Sequence, residues 1–390
     1  MTTIPTCTFE QAQLQGIWVI IRIDGNVPLN NDGSIDDDAR LRAALPTIER
    51  VKQKGGKPVI LTHWGDAENS NKELSTQKLV PWFQQHGFPN AVFAADIAAA
   101  QQAKNTPCDL IMFENIRFFK EELTPTESFA KQLATLGDYF IQDAFGVLHR
   151  EQTSVTLLPL QFDHTRRSIG LLIQRELVHL LPLVENPSQP FVLLIGGLKT
   201  DTKLPLLRAL LSQVKTVLIA PPLCFTFLKA LNKPIGKSTY DPEMVEQASL
   251  FLEEAESNYV RVSLPDDFLA TDTSFEHPDD CYPATELSEQ EIGVSIGPRT
   301  TDHWSTLVHS ARTLFCNGLP GNKEYPETLT TVARLLKAFP NGQRCVIAGG
   351  DTNALIKKLH IQIDAFLSTG GGATLAFLSN QRLPGLVPFL

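Results

Sequence analysis

Short apolar runs recur along the whole chain, and this feature restricts its possible folds more than any other. Each run is followed by polar residues or glycines and then by a helical segment. The runs lie at residues 17–23, 58–61, 109–113, 139–141, 191–195, 216–219, 314–316, 345–348 and 365–368. Continuous apolar runs of this length are typical of strands buried on both faces of a sheet. Their alternation with helices predicts an α/β fold built on parallel sheets.

The length of the chain indicates more than one domain. It has 390 residues, which is too many for one ordinary hydrophobic core. Residues 169–183 are apolar at helical spacing, and Pro187 and Pro190 follow them. We therefore predict a linking helix and hinge at 169–188, between two domains of similar size at 1–168 and 189–382. Each domain is expected to be a parallel sheet flanked by helices.

Two segments carry more local predictions. Residues 36–54 are expected to form a helix that Pro46 should kink or split in two, because proline removes one backbone hydrogen bond. Residues 265–290 are acidic and irregular, which predicts an exposed hairpin or loop.

The composition excludes several classes of partner. A formal net charge of −9 argues against nucleic acid or an anionic membrane surface as the main partner. No apolar run is long enough to cross a membrane, and the N-terminus has no signal-peptide pattern. The six cysteines are scattered, without a CxxC pair or a zinc-ligand spacing, so reduced thiols are expected. We therefore expect a cytoplasmic protein that binds small molecules.

In the first half, polar and basic residues follow directly after the apolar runs. They are Asp24, Asn26, His63, Arg117, His149 and Arg150. The carboxyl ends of parallel strands meet at one edge of the sheet, where α/β proteins bind their ligands. A single residue of this kind could be an ordinary surface group, but several basic groups on one edge predict a site for a small anion.

In the second half, three apolar runs end in glycine pairs or triplets that lead to predicted helices. The glycines lie at 196–197, 349–350 and 370–372. Such strand ends direct backbone N–H groups and a helix dipole outward, which suits phosphate. Asp351 can hold a divalent cation, and Thr352 can cap the helix. The set predicts a site for a nucleotide polyphosphate with Mg²⁺, whereas any one turn alone could be an ordinary βα connection.

Two lysines accompany the first of these glycine turns. Lys199 and Lys203 are four residues apart, so they would share one face of a helix. They could be a solvated pair, but their position just past Gly196-Gly197 favours contact with phosphate. A basic edge in one domain and a phosphate-binding edge in the other suit phosphoryl transfer between a nucleotide and a small acid.

Ordered motifs over nearly the whole chain resemble the phosphoglycerate kinase family. The first is Arg22-Ile23-Asp24-Gly25-Asn26-Val27-Pro28, which resembles the family pattern RxDxNVP. The others lie at 40–48, 114–118, 143–146, 149–150, 196–203, 296–298, 317–318, 349–352, 368–373 and 383–385.

The resemblance implies a role for specific residues. It assigns 3-phosphoglycerate binding to Asp24, Asn26, Arg40, His63, Arg117 and Arg150. It assigns nucleotide binding to Gly196, Lys199, Lys203, Asn317, Glu324, Gly349, Gly350, Asp351 and Thr352, with Asp351 as the Mg²⁺ ligand. It assigns stabilisation of the transferred group to Arg40, Lys199, Gly371 and Gly372.

The resemblance also implies a reaction and a way of working. Phosphoryl groups would pass reversibly between 1,3-bisphosphoglycerate and ADP, giving 3-phosphoglycerate and ATP, as in glycolysis and gluconeogenesis. The family relation implies a hinge-bending monomer. The C-terminal tail at 383–390 would belong with the first domain.

Several positions depart from the family pattern. Asp66 stands where the family has a substrate-binding arginine, and Pro221-Pro222 stand where it has glycines beside adenine. Gly25 replaces an apolar residue, and Ala348 replaces a glycine. These changes leave two hypotheses, an active kinase with weakened affinity or altered nucleotide choice, and a catalytically impaired paralogue that binds a phosphorylated ligand. The retained groups nearest the transferred phosphoryl favour the active enzyme.

Overall fold

The computed structural model describes residues 8–30, 32–65, 72–272, 281–322, 325–358 and 360–390, and only the backbone of Lys72, Asp351 and Lys358. These residues form two compact units. The first comprises the described residues up to Val178 together with Arg382–Leu390, and the second comprises His179–Gln381.

The first unit is built on a parallel sheet of six strands. The strands are β1 (Trp18–Arg22), β2 (Lys57–Leu61), β3 (Ala91–Ala94), β4 (Leu110–Phe113), β5 (Tyr139–Gln142) and β6 (Arg167–Ile169). Their order in the sheet is β3-β4-β2-β1-β5-β6. The helices of this part of the chain are α1 (Ala39–Gln53), α2 (Val80–Gln85), α3 (Ile97–Ala103), α4 (Lys120–Leu123), α5 (Glu127–Ala134) and α6 (Leu171–Glu185).

Helix α1 shows how the sequence pattern produces the packing. Leu41, Ala44, Ile48 and Val51 recur at helical spacing and are fully buried in the core above β1 and β2. Pro46 lies on the exposed side, where water can satisfy the carbonyl that loses its partner. Of the two alternatives for Pro46, a kink or a split, the split into two helices is wrong, since one helix continues through Pro46.

The second unit contains another parallel sheet of six strands. These are β7 (Phe191–Ile195), β8 (Thr216–Ile219), β9 (Arg261–Ser263), β13 (Thr313–Asn317), β14 (Arg344–Ala348) and β15 (Phe366–Ser368). Their order is β15-β14-β13-β7-β8-β9. The helices are α7 (Thr200–Leu210), α8 (Leu223–Ala230), α9 (Val245–Ser257), α10 (Pro298–Ser310), α11 (Pro326–Lys337), α12 (Gly350–Lys358) and α13 (Gly372–Leu378). The α/β fold of two parallel sheets flanked by helices is as the sequence predicts.

A small antiparallel sheet accompanies the second parallel sheet. Strands β10 (Phe268–Asp272), β11 (Tyr282–Ala284) and β12 (Glu291–Ile296) are arranged as β11-β10-β12. The expected hairpin corresponds to β10 and β11, whereas the expectation of an exposed, irregular segment is wrong for β10. Phe268 and Ala270 are buried there, and the Phe268 ring lies 5.6 Å from that of Phe225.

The C-terminal residues pack against the first sheet and its loops. Residues Pro384–Phe389 form a 3₁₀ helix, and the Gly385 N–H donates to the Leu148 carbonyl at 2.9 Å. The ring of Phe389 stacks 6.4 Å from that of Phe140 in β5. Val155 and Leu148 leave no room for a side chain at Gly385, since an added Cβ would lie within 2.8 Å of both.

Candidate functional site

The loop after β1 carries two of the predicted substrate-binding residues, Asp24 and Asn26, and contacts a third, Arg40. Asp24 is buried, and both of its carboxylate oxygens accept from Arg40 Nη1, at 3.0 and 3.1 Å. Arg40 is the second residue of α1, and its side chain is 37% exposed. The Asn26 Oδ1 accepts from the Gly65 N–H at 2.9 Å, which ties this loop to the end of β2. Asp24 therefore holds Arg40 at the sheet edge, where part of the guanidinium faces solvent.

His63 follows β2 and is the most enclosed residue of the predicted set. It is 3% exposed, and its Nδ1 is buried without a partner among the described residues. Burial lowers the pKa of His63 well below 6.5, and the positive charges of neighbouring arginines lower it further. Those arginines are Arg22, Arg117, Arg150 and Arg40. The ring is therefore neutral at pH 7.

Arg117 and Arg150 reach the same neighbourhood from other strands. Arg117 follows β4 in a 3₁₀ turn, is 4% exposed, and donates from Nη1 to the Gly65 carbonyl. Arg150 follows β5 and is exposed. Their charges act on His63 together with that of Arg40, so the structure brings four predicted residues into one electropositive region. Such a region attracts an anionic ligand.

Arg22 also belongs to this region, although it is not among the residues predicted for it. Arg22 is fully buried, its Nε donates to Ser154 Oγ at 2.8 Å, and its Nη2 has no described partner. Ser154 in turn donates to Glu122, whose pKa is raised by burial. A charged residue inside an otherwise apolar strand was the signal that could have identified it.

The loop after β2 carries a buried tryptophan, and the loop after β1 carries one departure from the family pattern. Trp64 is buried, and its Nε1 donates to the Val27 carbonyl at 2.8 Å. The Gly25 N–H donates to Thr62 Oγ1 at 2.7 Å, and a Cβ at Gly25 would lie 2.8 Å from the same oxygen. Thr62 therefore requires glycine at this position. Asp66 lies outside the described residues.

In the second unit, the strand ends surround a cavity of about 740 Å³. Six of the predicted nucleotide-binding residues line it, namely Gly196, Lys203, Asn317, Gly349, Gly350 and Thr352. Pro221, Pro222, Phe225, Thr239 and Val294 also line it, so the departing prolines form part of its wall. Among the described residues, Lys199, Gly371 and Gly372 do not line this cavity.

Lys203 and Asn317 form the polar floor of this cavity. Lys203 lies in α7, is 9% exposed, and donates from Nζ to Asn317 Oδ1. The Asn317 Nδ2 donates to the Ala348 carbonyl at 3.0 Å, so this amide is held in one orientation. Burial lowers the pKa of Lys203 from 10.5 to about 8. The ammonium group is thus positive at pH 7, although its charge is poorly solvated.

The prediction that Lys199 and Lys203 share one helix face is wrong. Lys199 is exposed and lies at the N-cap position, before the first residue of α7, with ψ of 89°. The two lysines therefore have different environments, since only Lys203 faces the cavity.

The start of α12 closes one end of the cavity. Gly349 has φ of 112°, a conformation that favours glycine, and Gly350 begins the helix. The Thr352 Oγ1 accepts from the Gly318 N–H at 3.3 Å. Asp351 lies in the first turn of this helix, although only its backbone is described, and Glu324 lies outside the described residues. The N–H groups and dipole of α12 make this end suitable for an anion.

Comparisons with known proteins agree with this geometry. A family model described as phosphoglycerate kinase matches residues 9–381. The phosphoglycerate kinase of Coprothermobacter proteolyticus is 33% identical over 98% of both chains, and that of Clostridium tetani is 35% identical over 97% of this chain and 96% of its own. The solved phosphoglycerate kinase of Coxiella burnetii is 30% identical, with a TM-score of 0.85 and 99% coverage of both chains. That of Pyrococcus horikoshii is 26% identical, with a TM-score of 0.83 and 97% coverage of both.

In the described part of the chain, no helix is both long and apolar enough to cross a membrane.

Proposed function

The chain belongs to the phosphoglycerate kinase family, and on this premise we propose which of its residues carry out the transfer. The family is one of ATP-dependent phosphotransferases. The chain catalyses the reversible transfer of a phosphoryl group between 1,3-bisphosphoglycerate and ADP, which yields 3-phosphoglycerate and ATP. The two relatives match this chain over 98% and 96% of their own length, and this does not favour the alternative of an impaired, ligand-binding paralogue.

We propose that the cavity of the second unit binds ADP and ATP. The observation that carries this proposal is the meeting of buried Lys203 with the glycine-rich start of α12 at one end of a single cavity. Phosphates would lie at this end, where they receive a positive charge and backbone N–H groups. The base would lie at the other end, beside Pro221, Pro222 and Phe225.

Asp351 is proposed as the protein ligand of Mg²⁺. Its place in the first turn of α12, between cavity-lining Gly350 and Thr352, supports this role. No cluster of three or more His, Cys, Asp or Glu occurs among the described residues. Mg²⁺ is usually held by one or two carboxylates together with substrate phosphates, so a single aspartate suits this role. When bound, the ion would neutralise charge on the phosphate oxygens.

We propose that the first unit binds 3-phosphoglycerate through Asp24, Asn26, Arg40, His63, Arg117 and Arg150. The electropositive region around His63 supports this assignment. Because His63 is neutral, it would act as a hydrogen-bond donor or acceptor while the arginines supply the charge. Asp24 would keep Arg40 oriented through the paired contacts at 3.0 and 3.1 Å.

The transfer itself requires little proton chemistry, because the attacking oxygen is already anionic. The barrier is mainly repulsion between the two anions, and a general base is unnecessary. Arg40, Lys199 and the helix start at Gly371-Gly372 are proposed to offset this repulsion as the phosphoryl group moves. Loss of one such group typically lowers the rate by ~10²–10³-fold.

The remaining proposals concern how the enzyme works in the cell. We propose that the two units close by bending about the segment at 169–188, and that the enzyme acts as a cytoplasmic monomer. Support for a reducing compartment comes from the six cysteines, which are scattered along the sequence without a CxxC pair.

A coupled assay with ATP, Mg²⁺ and 3-phosphoglycerate tests the proposed function. We expect turnover by the wild-type chain and a loss of ~10²-fold or more in Lys199→Ala. Turnover no greater than that of Lys199→Ala, in protein shown to be folded by circular dichroism, would contradict the proposed activity.

A further inference from the structure

A second cavity of about 320 Å³ adjoins the nucleotide cavity, and we call it the outer cavity. Leu198, Pro222 and Thr239 line both cavities. Thr226, Tyr240 and Asp241 line only the outer cavity. The boundary between the two is therefore made of three side chains from separate loops instead of a continuous strand or helix.

The boundary lies at the end of the nucleotide cavity opposite the proposed phosphate site. The start of α12 follows β14, whereas Pro221 and Pro222 follow β8, and strands β13 and β7 lie between these two in the sheet. The proposed phosphate site and the two prolines therefore line opposite ends of the cavity. A nucleotide bound in this direction places its base against the shared wall. This step rests on the proposed function, because it takes the larger cavity as the ADP and ATP site.

The wall beside the base offers no free N–H group from residues 220–222. Proline has no N–H, and the Ala220 N–H donates to the Ile195 carbonyl at 2.7 Å. A substituent on the edge of the base therefore breaks no hydrogen bond from this stretch. Leu198 is 68% exposed, so it can move aside without loss of core packing.

The chemistry of the outer cavity suits an uncharged apolar group. Pro222, Pro242 and the Tyr240 ring supply apolar surface. The Thr226 hydroxyl already has two partners, because its oxygen accepts from the Asp241 N–H at 3.1 Å and lies 3.5 Å from the Thr200 hydroxyl. The Asp241 carboxylate disfavours an anionic group, and Lys229, whose Nζ lies 5.6 Å from the Tyr240 ring centre, disfavours a cationic one.

We propose that the outer cavity is a subsite that receives an apolar substituent carried on the purine base. The enzyme should then accept nucleoside triphosphates with bulky base substituents, which a closed wall would exclude. The volume of the outer cavity is at the small end of the range for ligand pockets, and it accommodates a group of the size of benzyl.

The test compares initial rates of transfer to 3-phosphoglycerate from ATP, N6-benzyl-ATP and 2-hexylthio-ATP. The two analogues place the substituent on different edges of the base. We expect kcat/KM for at least one analogue to lie within about tenfold of that for ATP, since favourable burial offsets the ordering of the substituent. Values below about one hundredth of that for ATP with both analogues would overturn the subsite.

Variants show whether the outer cavity is responsible. Asp241→Phe fills it and should lower the analogue-to-ATP ratio of kcat/KM by about tenfold or more. Glu243→Phe is the matched control, because Glu243 is an exposed acid two residues away that does not line the cavity, and it should keep the wild-type ratio. An unchanged ratio in Asp241→Phe would contradict the proposal.

Leu198→Ala provides an independent measurement if Asp241→Phe does not fold. Opening the shared wall should raise the ratio for the accepted analogue, and an unchanged or lower ratio would overturn the proposal. Absence of turnover with ATP itself would instead contradict the proposed function, so the two failures are distinguishable.

Discussion

Lys203 is a buried cation at the proposed phosphate site, and its replacement should stabilise the protein without ligand while impairing catalysis. We consider Lys203→Met, which keeps an unbranched side chain of similar length and removes the charge. The pKa of Lys203 is lowered from 10.5 to about 8, which corresponds to about 3 kcal/mol of unfavourable charging in the folded state. Removing the ammonium group also leaves Asn317 Oδ1 without its donor, at a cost of about 1 kcal/mol, because water can reach it through the cavity.

The net gain at pH 7 should therefore be about 1–2 kcal/mol, or roughly 2–8 °C in the melting temperature of the transition that includes the second unit. This gain in the stability of Lys203→Met depends on pH. A lysine whose folded-state pKa is lowered destabilises the folded state fully below about pH 8, and this penalty disappears as the pH rises to 10.5. The advantage of the variant should decline over the same interval. Activity should fall ~10²-fold at pH 7, because the phosphates lose a positive charge.

Differential scanning calorimetry of the ligand-free proteins, at several pH values from 7 upward, measures this effect. Lys199→Met is the matched control, because Lys199 is exposed and its charge is already solvated. It should leave the melting temperature unchanged. A Lys203→Met protein no more stable than wild type at pH 7, or a gain that does not change with pH, would refute the argument.

Three further predictions concern the first unit. Gly25→Ala should cost about 1–3 kcal/mol, because the new Cβ would lie 2.8 Å from Thr62 Oγ1, and an unchanged urea midpoint would contradict this. The His63 ring should show no titration near pH 6.5 in NMR spectra, since burial and nearby arginines such as Arg22 keep it neutral; a midpoint at that pH would refute its enclosure. Asp66→Arg should lower KM for 3-phosphoglycerate by about tenfold at low salt, because it restores the arginine that the family pattern has at this position. An unchanged KM would show that Asp66 does not face the substrate.

Much of the fold is determined by local sequence pattern. The runs at 191–195 and 216–219 coincide with β7 and β8, since a continuous apolar run bounded by turn residues has few alternatives in an α/β chain. Strand β12 was missed, because Glu291–Ile296 alternates weakly and becomes a strand only by pairing with β10. The extent of a helix through Pro46 likewise depends on which side faces solvent.

In the candidate site, too, some features follow from the sequence and others depend on the tertiary structure. The sequence by itself determined which residue types follow each strand, and parallel topology places all such residues on one sheet edge. It could not distinguish Lys199, exposed before the first turn of α7, from Lys203, buried on Asn317, because burial depends on strands more than a hundred residues apart. The burial of Arg22 beside Ser154, the neutral state of His63 and the cavity beside Pro222 were likewise decided by tertiary structure. Solvation and electrostatic potential are set by neighbours in space, and the order of residues along the chain does not specify them.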